Sequence, residues 1–126
     1  MARTRFAVGR GPTATSAVSR GTAFRFTLSK PGMMSIRIRH VLRGRRVGRR
    51  CLAATRARAH RRLCARLTIA GTLTRHLAAG RRSVPFTGRI GARPLQPGRY
   101  EATLTERDAA GNLSRSQTLF FTTVAG

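Results

Sequence analysis

The sequence predicts an all-β domain, and three observations predict it. Short segments alternate apolar with polar residues, clusters of Pro, Gly and Asn separate those segments, and two cysteines sit at a spacing that a hairpin or loop can close. A period of two puts every second side chain on one buried face, which is the signature of a strand packed on one side. Several such strands divided by turn signals point to a sandwich or barrel of about seven antiparallel strands.

The elements follow in chain order. Residues 1–20 read as an N-terminal edge strand and lead-in loop, with Gly9–Ser19 loop-like by composition. The domain proper is 21–126. Thr22–Ser29 places Phe24, Phe26 and Leu28 on one face and Arg25 and Thr27 on the other. After Pro31-Gly32, Met34, Ile36, Ile38 and then Leu42 alternate with Ser35, Arg37 and Arg39. Leu52–Leu63 is rich in Ala, Leu and Arg and has the composition of a helix. Leu67–Leu77 reads as a strand broken at Gly71. Val84 and Phe86 alternate before Gly88. Tyr100, Ala102 and Leu104 alternate with Glu101, Thr103 and Thr105, so Glu101 is expected to face solvent. Leu119 and Phe121 form the inward pair of the last strand.

Length and composition set the frame. A chain of 126 residues suits one domain with a real core. Without tryptophan and with one tyrosine, that core rests on Phe, Leu, Ile, Val and Met. Arginines at 3, 5, 10 and 20 exclude a signal-peptide reading of Met1–Arg20. No stretch approaches the ~20 apolar residues of a membrane span. The chain is therefore expected to be either cytoplasmic or a piece of something longer.

Charge is the most unusual feature. There are 26 basic residues against 3 acidic ones, for a net charge of +23, and Lys30 is the only lysine. Such a field attracts polyanions over long range. GC-rich codon usage is a second source of arginine over lysine, but it leaves the scarcity of acids unexplained. The densest cluster is Arg43, Arg45, Arg46, Arg49, Arg50, Arg56, Arg58, Arg61, Arg62 and Arg66, unbroken by any acid. Basic loops of this kind bind phosphate without sequence preference. No aromatic platform is interleaved with these arginines, as single-strand binders use. Nothing but charge marks the cluster as a dedicated site.

Cys51 and Cys64 allow one intrachain disulfide. A continuous helix would hold their Cα atoms about 20 Å apart at ~1.5 Å per residue, whereas a disulfide needs about 4.4–6.8 Å. The helical composition between them and the bridge thus exclude each other over the whole span. The basic loop that the bridge closes is expected to be local and exposed, and the bridge implies an oxidising compartment. Two alternatives stand beside it: buried inert thiols, or a zinc site drawing on Cys51, His60, Cys64 and one of His40 or His76. Common zinc sites pair close cysteines, which this chain lacks, so no metal is assigned.

Nothing points to catalysis. General acid–base work needs positioned carboxylates or histidines, and the three acids are Glu101, Glu106 and Asp108, the latter two beside a hairpin among arginines. Neither G-x-S-x-G nor G-x-x-x-x-G-K-[ST] occurs. His40 and His76 read as packing or surface residues. No catalytic residue and no cofactor is assigned. A calcium role for Asp108 and Asn112 lacks the several carboxylates such sites use.

The C-terminal third is the most informative run. Leu95-Gln96-Pro97-Gly98-Arg99-Tyr100 makes a tight turn and opens a strand on an inward ring, with Leu95 over the end of the core. Asp108-Ala109-Ala110-Gly111-Asn112-Leu113-Ser114 then forms a hairpin loop: Asp bonds the backbone ahead of it, and Gly and Asn tolerate positive φ. The stretch LQPGRYEATLTERDAAGNLS resembles the end of bacterial immunoglobulin-like and fibronectin type III-like repeats. With RGTAFRFTLS, GRRVGRRC, GTLTR and FTGRIG, it resembles a group of uncharacterised modules in exported proteins of high-GC bacteria, over about residues 20–124.

That resemblance implies an Ig-like sandwich in which Tyr100 bonds back to upstream backbone, the tyrosine corner. It also implies an extracellular or cell-envelope location, neighbouring domains in a longer chain, and a structural or adhesive role. Anionic cell-wall polymer or another polyanion is the partner that the arginines suggest, and non-specific nucleic-acid binding is the alternative. Two departures stand out: no signal peptide is present, and Thr123 occupies a position where an apolar residue is common.

Overall fold

The computed structural model describes residues 5–7, 22–114 and 116–124. The loop assigned to Gly9–Ser19 lies outside the described residues. Among the described residues there are ten strands: β1 (Arg5–Ala7), β2 (Thr22–Leu28), β3 (Gly32–Val47), β4 (Arg50–Ala53), β5 (Leu63–Leu77), β6 (Gly80–Phe86), β7 (Arg89–Ile90), β8 (Arg93–Pro94), β9 (Gly98–Asp108) and β10 (Gln117–Val124). The excess over the expected seven comes from short pieces such as β1, β7 and β8, which are too brief to carry alternation.

The main sheet has six strands. Its path runs β1-β10-β9-β3-β4, and β5 pairs with β3. β9 pairs with β3 as far as Val41 and β4 pairs with it from Gly44 onward, while β5 runs along it from Gly32 to Arg45. The 16-residue β3 is therefore the spine of the sheet. Not all pairs are antiparallel, because β1 lies parallel to β10.

A second, two-stranded ladder, β2–β6, sends aromatic side chains against the main sheet. Phe24 and Phe86 reach the Phe121 ring at 6.4 and 5.6 Å between centroids. Phe6, brought in by β1, stacks on Phe121 at 5.5 Å. These offset and edge-on geometries are the ones aromatic quadrupoles favour.

The alternation expected from the sequence holds along the core strands. Phe24, Leu28, Met34, Ile36, Ile38, Val84, Phe86, Tyr100, Ala102, Leu104 and Phe121 are all buried. Phe26 and Leu119 are only partly buried and pack against this cluster. Phe6, Leu73 and Leu95 complete the core. The break expected at Gly71 is a register shift within one strand. Ile38 faces Gly71 and Arg39 faces Ile69, so Ala70 is an extra residue in β5. Gly71 allows the close approach of β7, since a Cβ there would lie 2.7 Å from Ile90 Cδ1.

Candidate functional site

Beyond Val41, β3 leaves β9 and carries β4 and the start of β5 with it. The arm so formed has no core of its own. Between Ile38 and Leu73 no apolar side chain joins the buried cluster. Backbone ladders hold the arm, and the Val47–Arg50 pair closes it at a two-residue turn, Gly48-Arg49. Gly48 has φ 62°, the first central position of a type II′ hairpin turn.

The Cys51–Cys64 disulfide is present, with Cα atoms 6.0 Å apart. Its cysteines belong to strands and are half-buried, and the stretch between them is local and largely exposed, as expected. Gly44 pairs with Ala53 on one edge of β3 and with Cys64 on the other. The cystine thus joins the two strands that flank β3, and it passes over Gly44. A Cβ on Gly44 would lie 2.6 Å from Cys51 Sγ. Closing this span removes the helix that the composition of Leu52–Leu63 suggested. What remains between β4 and β5 is one 3-10 turn, Arg56–Arg58. Both sulfurs are spent in the cystine, so neither is a ligand for zinc.

The arginine cluster sits on this arm. Arg43, Arg45 and Arg46 lie on β3, Arg49 in the hairpin turn, Arg50 on β4, Arg56 and Arg58 on the 3-10 turn, and Arg66 on β5. Arg61 and Arg62 occupy the approach to β5. Arg45 Nη1 donates to Arg61 O at 2.8 Å, and Arg58 Nη1 to Ala53 O at 2.8 Å. Each leaves most of its guanidinium donors available. Arg43, Arg46, Arg49, Arg50, Arg56, Arg61 and Arg62 are exposed.

The turn before β9 is built on one carbonyl. Tyr100 Oη donates to Gln96 O at 2.7 Å, and Thr123 Oγ1 donates to the same oxygen at 2.9 Å. Thr123 is 2% exposed, so this bond is what makes a hydroxyl tolerable at an apolar position. Burial pushes the Tyr100 phenol above its ordinary pKa, and His40 stacks on its ring at 4.5 Å. Pro97 and Gly98 bring the chain close enough that a Cβ on Gly98 would lie 2.7 Å from His40 Nε2. Tyr100→Phe is expected to cost about 1 kcal/mol, the net worth of one hydrogen bond, read as a shift in urea midpoint at unchanged m-value.

In the β9–β10 hairpin, Asp108 Oδ1 accepts from Ala110 N at 3.0 Å and Asn112 N at 2.9 Å. Gly111, at φ 84°, completes the turn. The Asn112 backbone bond holds the Asp108 carboxyl below its ordinary pKa. Asp108 and Asn112 therefore bind each other. Among the described residues no group of three or more His, Cys, Asp or Glu side chains converges as a metal site.

Glu101 departs from expectation. It lies on the face opposite Tyr100, as the alternation requires, yet it is only 8% exposed. Arg39, its direct partner across β3 and β9, covers it, with Nε donating to Oε1 at 2.9 Å and Nη2 reaching the same oxygen. Cross-strand pairing, invisible in one strand read alone, is the missing signal.

Register also defines the outer face of the main sheet, away from β2–β6. One row crosses it as Ile69, Arg39, Glu101 and Phe120, and the next as Leu67, Val41, Arg99 and Thr122. Arg99 lies over the Phe120 ring at 5.0 Å. Toward the arm come Ala65 with Arg43, then Leu63 with Arg45. No protein-family model, curated protein or solved structure matches the chain, so the residues themselves carry the functional reading.

Proposed function

We propose that this chain is a non-catalytic structural or adhesive module of an exported or cell-envelope protein, a sandwich of the immunoglobulin-like or fibronectin type III-like kind that meets anionic polymers through its arginines. The observation that carries this reading is the Cys51–Cys64 cystine, because disulfides persist in oxidising compartments. The Tyr100–Gln96 bond, in the position of a tyrosine corner, supports the kinship of fold. Neighbouring domains of a longer chain are its natural partners.

The acid-free arginine arm favours a second reading, non-specific nucleic-acid binding. Salt titration separates the two. Counterion release gives a slope near −0.9 per phosphate neutralised on B-DNA. The variant Arg45→Ser/Arg46→Ser/Arg49→Ser/Arg50→Ser should lower that slope no more than Arg5→Ser/Arg25→Ser/Arg81→Ser/Arg93→Ser, which removes four exposed arginines elsewhere. A far larger loss from the arm variant, persisting at physiological salt, would transfer the assignment to nucleic acid. Thiol titration before and after reduction adds a check, since free thiols in the native protein would remove the case for export.

A further inference from the structure

We propose that the outer face of the main sheet docks on the surface of an anionic lipid bilayer. Six large hydrophobic side chains are exposed among the described residues: Met33 (37%), Leu63 (58%), Leu67 (41%), Ile69 (73%), Leu113 (61%) and Phe120 (46%). Register places all of them on this one face: Leu63, Leu67 and Ile69 pair with odd-numbered residues of β3, Met33 is one itself, Phe120 joins them through Glu101, the partner of Arg39, and Leu113 bridges Arg107, the partner of Met33. Phe24 of β2 and Phe86 of β6 pack on the opposite face, and among the described residues nothing buries these six. Scattered exposed apolar residues are ordinary; their collection on one face marks an interaction surface.

Charge selects the partner. Arg37, Arg39, Arg43, Arg45 and Arg99 stand on the same face. The acid among them is Glu101, which Arg39 already holds. A second copy of this chain would bring one strongly cationic face against another, so self-association is opposed. A soluble polyanion would satisfy the arginines and leave Ile69, Leu67 and Phe120 as wet as before. An anionic bilayer satisfies both sets: phosphates take the guanidinium groups, and the interfacial region takes the aliphatic and aromatic side chains. Arginine suits this boundary because its stem lies along apolar surface while its head stays with the phosphates. The contact is interfacial, since among the described residues no helix is long and apolar enough to cross a membrane.

The test compares vesicles with a soluble polyanion. Wild-type protein should co-sediment with vesicles of phosphatidylglycerol and phosphatidylcholine and leave vesicles of phosphatidylcholine alone in the supernatant. Leu67→Thr/Ile69→Thr/Phe120→Thr keeps strand propensity and removes apolar contact. It should weaken binding to the anionic vesicles by about tenfold or more and leave heparin binding unchanged. The proposal is overturned by a triple variant that binds anionic vesicles like wild type, by wild type that ignores them, or by an equal loss on heparin. The last result would assign the face to soluble polyanions and leave the adhesive reading standing.

Discussion

Phe121→Ala is expected to remove about 3–5 kcal/mol of stability, the usual cost of truncating a buried aromatic side chain. Such a loss is a large share of the 5–15 kcal/mol that typically separates folded from unfolded. The Phe121 ring contacts Tyr100 at 5.4 Å and Phe86 at 5.6 Å, and it also meets Phe6 and Phe24. Those rings belong to β9, β6, β1 and β2, so one side chain joins the second ladder to the main sheet. The cavity left behind is walled by side chains from the main sheet and from the β2–β6 ladder, and neither can collapse inward without breaking its own pairing. The control is one residue away. Phe120 points to the outer face and is 46% exposed, so Phe120→Ala should cost well under about 1 kcal/mol. Urea unfolding of both variants checks the pair. Comparable losses would mean that the inward and outward faces of β10 have been assigned wrongly.

That contrast shows which parts of the fold can be read from sequence. Where one face of a strand is buried, as at Met34, Ile36 and Ile38 or at Tyr100, Ala102 and Leu104, burial writes a period of two into the residues. The turn chemistry of Asp108, Gly111 and Asn112 is legible for a similar reason, because it is local. The arm is different. From Arg43 to Arg50 arginines fall on both faces of β3 and β4, and no core sorts them, so the continuation of β3 to Val47 leaves no pattern. Leu52–Leu63 looks helical by propensity, yet the cystine and the flanking ladders override a preference worth a few tenths of a kcal/mol per residue. Phe6 escapes notice because a three-residue strand carries no period.

The same limit applies to function. The arginine cluster is visible as composition, while the outer face is visible only through register. Leu63, Leu67 and Ile69 belong to a strand whose two faces are both partly exposed, and the extra residue at Ala70 changes its phase. Phe120 comes next to Phe121 in a doublet that alternation alone cannot orient. Only pairing with Glu101, and through it with Arg39 and Ile69, places Phe120 among those residues.

Gly44→Ala is expected to disrupt the arm and with it the disulfide. The added methyl would meet Cys51 Sγ at 2.6 Å, Leu52 O at 2.7 Å and Arg66 Cγ at 2.8 Å. Only the last belongs to a side chain able to swing away. The first is fixed by the cystine and the second by the β3–β4 ladder, so relief requires β4 to move off β3. Lifting β4 separates Cys51 from Cys64, whose Cα atoms at 6.0 Å are already within the upper part of the range a disulfide spans. In the chain-entropy account, losing a loop closure of this size costs about 3 kcal/mol. Three measurements check it. Oxidatively refolded Gly44→Ala should titrate with free thiols, whereas wild type should show none. Reductant should lower the urea midpoint of wild type by an amount equivalent to that cost and barely shift the variant. In a Cys51→Ser/Cys64→Ser background, Gly44→Ala should cost less than it does beside the cystine, because the two substitutions then remove one shared interaction. A variant that keeps the disulfide and the wild-type midpoint would show that the arm accommodates a side chain at position 44, and Gly44 would cease to be what lets the cystine cross β3.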